Sequence, residues 1–224
     1  MRKYLPCLLL VSAMAVGTST AAADPTAGPP ICSSAGMPLS GTVGSLTIKG
    51  NAYVPAGSTL TVKGNLTLAP GSCFDAFTIA TVNITGSVNV GKNAILGLGC
   101  SPGAIGPEPP CGMTTTNDVV GNGISAREAM TMYLTAVTVH GSVTSIGGGP
   151  GPTFSPYINF PIKENTITRN LDVQGWHGAW FGVIRNTIYG FLSCFGNWPA
   201  PQIGDSGGSP NTVFGKKLGQ CTAV

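Results

Sequence analysis

A short motif recurs along this chain and constrains its fold more than any other feature. Residues 46–59 (LTIKGNAYVPAGST) align without gaps on residues 60–73 (LTVKGNLTLAPGSC), 14 positions later. Each copy has Thr or Asn, then Val or Ile, then a residue that is often followed by Gly. A short stretch in which apolar and polar residues alternate comes next. The copies begin at Leu46, Leu60, Val82, Val137 and, in a related form, at Asn165, Asn186 and Asn211.

These copies predict stacked coils of short strands. Val, Ile, Thr and Leu favour strands, and Gly, Asn and Pro separate them at corners. One such unit cannot bury its own apolar face, so it must stack on its neighbours. We therefore expect an all-β, single-domain, right-handed parallel β-helix of seven to nine coils over residues 41–224. A β-sandwich has turns at similar spacing but does not require one motif to recur.

Two segments depart from the repeat. Residues 24–40 are rich in Pro, Gly and Ser and predict a tail or an N-terminal cap. In residues 99–135, Ser125 and Glu128 have the spacing of a helix-capping box. Met130, Met132 and Leu134 nevertheless alternate with polar residues, which is strand periodicity. A coil of the β-helix is favoured over a short helix there.

The segment over residues 1–23 has the pattern of a secretory signal peptide. Arg2 and Lys3 precede an apolar stretch over residues 5–16, and Ala21–Ala23 supply a small-residue cleavage site. No later segment approaches about 20 uninterrupted apolar residues, the length of a membrane-spanning helix. We expect an exported protein, extracellular or associated with the cell envelope, that begins near Asp24.

The cysteine count agrees with export. Removal of the leader takes Cys7 away and leaves six cysteines, an even number that favours disulfides. Fifteen pairings can be drawn; the one expected first is Cys100–Cys111, which closes a Pro-rich loop over residues 101–110. Cys194–Cys221 would then hold the last segment and Cys32–Cys73 the first. Metal binding is disfavoured because there is no close CxxC pair.

Charge is sparse and balanced. Only 8% of residues are charged, and the chain without its leader keeps nine basic and eight acidic residues. Nucleic-acid binding draws its affinity from many Lys and Arg contacts to phosphate, so it is not expected. A net charge this close to zero also predicts no electrostatically driven partner. No cofactor is indicated.

A protease signature is present but lacks its context. Residues 204–208 read GDSGG, and His140 and Asp172 precede them in the order of a serine-protease triad. The interval from His140 to Ser206 is too short for two intervening barrels, and VTVHG replaces the expected motif around the histidine. A triad depends on geometry, and distant coils cannot supply it. GDSGG is interpreted as a tight turn, and His140 as a solvent-facing repeat position also held by Lys49, Lys63, Thr85 and Tyr189.

A polysaccharide lyase or hydrolase of β-helix type is the alternative enzyme hypothesis. Glycoside hydrolysis uses paired carboxylates, whereas the eight acids outside the leader are scattered. The remaining catalytic candidates are Asp172 and His177, with Arg169 and Arg185 nearby. Asp172 and Arg169 are expected to form a surface ion pair instead, so no catalytic centre is assigned.

Aromatic residues give the stronger functional indication. Eleven of the sixteen lie between Phe154 and Phe214, and the segment GWHGAWFG surrounds two tryptophans with glycine. Rigid aromatic rings suit stacking on sugar rings. We expect a glycan or cell-wall polymer to contact Trp176, Trp180, Trp198 and Arg185. The competing interpretation is that these rings plug the C-terminal end of the solenoid; self-assembly through coil ends, giving a homo-oligomer, is a third functional class.

Most of the chain from about Gly41 resembles a family of small secreted actinobacterial proteins with β-helical repeats. The resemblance is carried by NTITRN, GWHGAWFGVIRNTI, GDSGGSPNTVFG and the terminal GQC. It implies export and a parallel β-helix. It implies no catalytic residues.

Overall fold

The computed structural model describes residues 31–32, 36–102, 111–150, 159–204 and 209–224. Short strands alternate with tight corners throughout. The strands are β1 (Met37–Pro38), β2 (Gly41–Val43), β3 (Leu46–Ile48), β4 (Asn51–Tyr53), β5 (Thr59–Val62), β6 (Leu66–Leu68), β7 (Cys73–Ala76), β8 (Thr81–Ile84), β9 (Val88–Val90), β10 (Ile95–Leu98), β11 (Asp118–Val120), β12 (Ile124–Arg127), β13 (Thr131–Thr135), β14 (Val137–Val139), β15 (Val143–Ile146), β16 (Asn159–Lys163), β17 (Thr166–Ile167), β18 (Leu171–Gln174), β19 (Trp180–Ile184), β20 (Thr187–Ile188), β21 (Leu192–Phe195), β22 (Thr212–Val213) and β23 (Lys217–Gly219). A 3-10 helix, η1, covers Gln220–Ala223.

Three parallel sheets run the length of the molecule, and successive strands visit them in turn. Sheet A has seven strands (β1 to β19), sheet B eight (β2 to β22) and sheet C eight (β3 to β23). Each strand pairs in parallel with the strands of the same sheet in the coils before and after it. The described residues therefore make seven complete three-strand coils and an eighth of two strands. The expected parallel β-helix is confirmed; its right-handedness stays a prediction.

Alternation along each strand separates the core from the surface. In β5, Leu60 and Val62 are fully buried while Thr61 between them is partly exposed. The equivalent inward rows of the other coils carry Val, Ile and Leu, and stacking them removes a continuous apolar column from water. Sequence periodicity of two is therefore what assigns each strand its inner face.

The coil repeat differs from the sequence repeat. Leu46 lies in sheet C and pairs with Leu66, whereas Leu60 lies in sheet B and pairs with Val82. The alignment of residues 46–59 on 60–73 thus superposes strands of two different sheets. Strands of sheets B and C share an inward apolar pair and a following glycine, so their sequences are alike without being in register.

The two departing segments both join the β-helix. Met132 lies in β13 and Ser125 in β12, so residues 124–135 form strands and not a helix. In the predicted tail or cap, Met37–Pro38 already forms β1 and pairs with β4, which places the start of the first coil before residue 41. Ile31 lies farther along sheet A, where its amide donates to Asp75 Oδ2.

The six cysteines form the three pairs that the sequence favours: Cys32–Cys73, Cys100–Cys111 and Cys194–Cys221. Cys73 belongs to β7, so the first bridge fixes the segment that precedes β1 onto the outside of sheet A. Cys221 belongs to η1, and Val224, which directly follows η1, is also buried. The third bridge therefore holds the cover over the C-terminal end of the core.

Sheets B and C meet at a corner of three residues in coils two to eight. The middle residue is glycine in five of these seven corners: Gly64, Gly86, Gly141, Gly190 and Gly215. A Cβ on Gly141 would lie 2.0 Å from the carbonyl oxygen of Asn122 in the preceding coil. Because the obstacle is backbone, the glycine is required for coils to stack closely at this edge.

We expect Gly141→Ala to destabilise the protein by about 2–3 kcal/mol, the cost of forcing extra volume into a packed site. Gly44→Ala is the matched control, since a Cβ at Gly44 in the first coil meets nothing within 4 Å. That change should alter stability by less than about 1 kcal/mol. Urea unfolding of both variants measures the difference, and equal midpoints would contradict the steric explanation.

Candidate functional site at the B–C corner

A shallow groove of about 380 Å³ lies along the corner between sheets B and C in coils three to six. Gly123 and Gly141 are among its lining residues and contribute no side chain to it. Hydroxyl, amide, imidazole and guanidinium groups line the rest. The polar lining residues that matter most are Asn89, Asn122, Ser125, His140, Thr144 and Arg169.

The groove continues into an aromatic surface on the last two coils. The backbone N–H groups of Tyr189 and Phe214 donate to the carbonyls of Ile167 and Ile188 in the preceding coils, so both residues lie in the outer row that also holds His140 and Thr168. Their rings stack with centroids 4.9 Å apart and planes 8° apart. Tyr189 is 54% exposed, Phe214 65% and the neighbouring Phe191 48%. We call Tyr189, Phe191 and Phe214 the aromatic platform.

The charged residues on this corner are all basic. The seven three-residue corners, all within the described chain, contain Lys63, His140, Arg169 and Lys216 and no Asp or Glu. None of the Lys and Arg side chains among them forms an ion pair with a described residue. Arg169 at the groove and Lys216 beside the platform are therefore cations without an acidic partner among the described residues.

The sequence predicted ligand contacts at three tryptophans, and the structure separates them. The expected contact at Trp176 is wrong, because its side chain is fully buried and packs on Phe160 with ring centroids 5.1 Å apart. Its indole N–H donates to the carbonyl of Met130. Trp176 also lies between β18 and β19, so it fills the core within the stack and does not plug the C-terminal end.

The other two tryptophans differ in accessibility. Trp180 starts β19 on the outside of sheet A and is partly buried, with the Lys163 ammonium 4.7 Å from its ring centroid. Trp198 is 70% exposed and lies between sheets C and A, bridged to His177. Of the three, Trp198 alone offers a largely open ring, and it is on a different corner from the groove.

Arg185 already has a partner. Its guanidinium Nη2 lies 2.6 Å from Glu164 Oε1, and both side chains are only about a quarter exposed. Glu164 also accepts a hydrogen bond from the Ser101 hydroxyl. Arg185 therefore forms an ion pair between adjacent coils, at the corner between sheets A and B.

The candidate catalytic pair is not assembled. Asp172 accepts hydrogen bonds from Ser193 Oγ (2.9 Å) and Gln174 Nε2 (2.8 Å) on the outside of sheet C. His177 Nε2 lies 3.2 Å from the carbonyl oxygen of Gly196 instead. The expected ion pair between Asp172 and Arg169 is absent from the described residues. Asp172 is held by its own strand and by the next coil.

The remaining sequence predictions fall partly outside the described chain. Of GDSGG only Gly204 is described. The leader over residues 1–23 lies outside the described chain, as do residues 103–110 of the loop that Cys100–Cys111 closes. His140 shares its outer row with Lys63, Thr85 and Tyr189, as expected, but Lys49 follows β3 in sheet C and belongs to another row.

Sequence reasoning did not assign the groove, the platform or a buried amide ladder. Asn165, Asn186 and Asn211 occupy one row of sheet B, each immediately before a strand. In this row, the backbone N–H of a residue donates to the Oδ1 of the asparagine in the following coil; Asn165 N lies 3.0 Å from Asn186 Oδ1. Asp118 occupies the same row and accepts from the amide of Val82. The asparagine that begins each of these three repeats is the sequence feature from which the ladder could have been predicted.

Comparison with known proteins gives no relative: no family model, curated protein or solved structure matches the chain. Within the described residues, no helix has the length and apolar character needed to cross a membrane. In the same part of the chain, His, Cys, Asp and Glu side chains form no group of three suited to a metal ion.

Proposed function

We propose that this protein is an exported, non-catalytic binding protein that holds a linear glycan along the B–C corner. The observation that carries the proposal is the alignment of a polar groove with an aromatic platform on one edge of the β-helix. The sequence indicated a glycan ligand from clustered aromatics. The platform residues replace Trp176 and Trp180 as the rings that contact it.

The geometry of the corner suits a chain of sugars. Neighbouring coils are about 4.8 Å apart, so the path from coil three to coil eight extends roughly 24 Å. Asn122, Ser125 and Thr144 present hydroxyl and amide groups that exchange hydrogen bonds with sugar hydroxyls. Tyr189 and Phe214 cover one face of each other, so the outer ring face of each is the one that can bind the apolar side of a sugar ring.

Export and rigidity support the same function. Disulfides such as the three in this chain persist in oxidising compartments, in agreement with the leader-like segment over residues 1–23. Paired strands on both sides of each corner hold the groove backbone on a fixed scaffold, so little backbone entropy is lost when a ligand binds. A cell-envelope or extracellular polysaccharide is the corresponding ligand class.

Double replacement Tyr189→Ala with Phe214→Ala is expected to weaken glycan binding about tenfold or more, because each lost ring removes a contact worth about 1 kcal/mol. Trp198→Ala is the matched control, an exposed aromatic on another corner. Affinity electrophoresis against a panel of plant and bacterial polysaccharides measures the effect, with circular dichroism to verify the fold.

Loss of binding in Trp198→Ala alone would place the ligand at the C–A corner and overturn the groove assignment. Release of reducing ends from any polymer in the panel would overturn the non-catalytic assignment, and the double variant D172N/H177A would then test those residues. If no polymer binds and light scattering grows with concentration, self-assembly replaces glycan binding.

A further inference from the structure

We infer that the glycan held at the B–C corner is anionic, its carboxylate or phosphate groups contacting Arg169 and the neighbouring basic residues. This inference rests on the proposed function and specifies its ligand class. It also departs from the net charge of the chain without its leader, which is close to neutral and predicts no electrostatically driven partner. The distribution of charge over the surface, and not its sum, favours an anion.

Four of the five acids that the structure describes are engaged away from the corner. Glu128 pairs with Lys92, their atoms 2.6 Å apart, and Glu164 pairs with Arg185. Asp75 accepts from the amides of Ile31 and Phe77 on sheet A. Asp118 is in the core. Each of these four carboxylates lies away from the groove and cannot neutralise its cations.

Asp172 is the carboxylate nearest the groove in the register, because β18 pairs with β15 and Asp172 lies opposite the lining residue Thr144. Its Oδ1 accepts from Ser193, in the coil farther from the groove, and its Oδ2 from Gln174 on its own strand. Both oxygens are therefore engaged by other side chains. Arg169 forms no ion pair with any described residue, so its guanidinium can receive an incoming anion.

Of the seven corners, only one has a charged residue in the middle position, and that residue is Arg169. It stands in coil six between Gly141 and Gly190, whose amide donates to the Arg169 carbonyl. Arg169 lines the groove and lies one coil before Tyr189, so it is at the junction of groove and platform. A planar fork of five N–H donors matches a carboxylate or phosphate bidentately, so a sugar stacked on the platform can place its anionic group there.

Nucleic acid is the competing anionic polymer, since cations beside aromatic rings also bind single strands. The corner supplies three permanent cations over seven coils, whereas nucleic-acid affinity depends on many phosphate contacts. The abundance of Asn, Ser and Thr in the groove favours a ligand rich in hydroxyls. The observations therefore favour a charged glycan.

Polygalacturonate and its fully methyl-esterified form make the decisive pair of probes, because they share a backbone and differ in charge. We expect tighter binding of the acid form, lost progressively with added salt. Arg169→Gln should lower its affinity about fivefold and leave the ester unchanged. Asp172→Asn should raise the affinity for polygalacturonate, because it removes a nearby negative charge. Arg127→Gln, which removes an exposed cation from sheet C outside the corner, is the matched control.

A glycerol-phosphate teichoic acid and single-stranded poly(U) complete the test. Preference for teichoic acid over polygalacturonate, still sensitive to Arg169→Gln, assigns phosphate as the anion. Equal affinity for acid and ester, with no effect of Arg169→Gln, overturns the inference while leaving glycan binding intact. Binding of poly(U) in preference to every glycan overturns it in favour of nucleic acid. Failure of all glycans, charged or neutral, overturns the proposed function itself.

Discussion

Asp118→Asn is expected to stabilise the protein at pH 8 by on the order of 4 kcal/mol and to leave its stability at pH 4 almost unchanged. Asp118 is 1% exposed, and its Oδ2 has no hydrogen-bond partner among the described residues. Burial raises the pKa of its carboxyl from 3.8 to about 7, although the amides of Val82 and Gly99 lower it in part. The charged form is therefore the costly one.

The direction of the pH dependence follows from linkage. A carboxyl whose pKa is higher in the folded chain than in the unfolded chain binds more protons when folded between about pH 4 and pH 7. Stability contributed by protonated Asp118 is full below pH 4 and is lost as pH rises through 7. The loss corresponds to on the order of 4 kcal/mol, or roughly 10 °C in melting temperature.

Thermal melts at pH 4, 6 and 8 measure this difference between the natural protein and Asp118→Asn. Burial also raises the pKa of Asp75, but that contribution is common to both proteins and cancels in the comparison. Asp172→Asn, at a partly exposed carboxyl, is the control for the loss of one carboxylate charge. Parallel stability curves for the natural protein and Asp118→Asn would contradict the assigned cost.

The fold could be predicted because the repeat acts at the level of single strands. Alternation in segments such as residues 59–62 assigns an inner face, and glycine marks the corner that follows. Register could not be predicted in the same way, since β3 and β5 have nearly the same sequence but lie in different sheets. Local pattern specifies a strand and its faces; coil length is decided by the corners, which vary.

The candidate site was harder to predict because exposure depends on which coil surrounds a side chain. Trp176 and Trp198 both follow strands of sheet C, yet one fills the core and the other lies in solvent. Tyr189 and Phe214 are distant in sequence and stack only because their coils are adjacent. A groove made from residues of four coils leaves no contiguous motif in the sequence.

The largest loss of stability is expected from Asn186→Ala, in the centre of the amide ladder. Asn186 is fully buried. Its Oδ1 accepts from both the backbone N–H and the Nδ2 of Asn165, while its Nδ2 donates to Ile162 O and to Asn211 Oδ1. One side chain thus connects three consecutive coils on the inside of sheet B.

Truncation to alanine leaves the Asn165 amide and the Ile162 carbonyl without this partner, in a core that water does not reach. Each such group costs about 1–3 kcal/mol, so the total loss should be on the order of 4 kcal/mol. Asn170→Ala removes one bond of the same kind, from Phe191 N to an exposed asparagine, and should cost less than about 1 kcal/mol. Guanidinium unfolding with the disulfides intact compares the two. A small effect at Asn186 would mean that the ladder follows from the coil geometry; a large one would mean that the asparagines hold the coils in register.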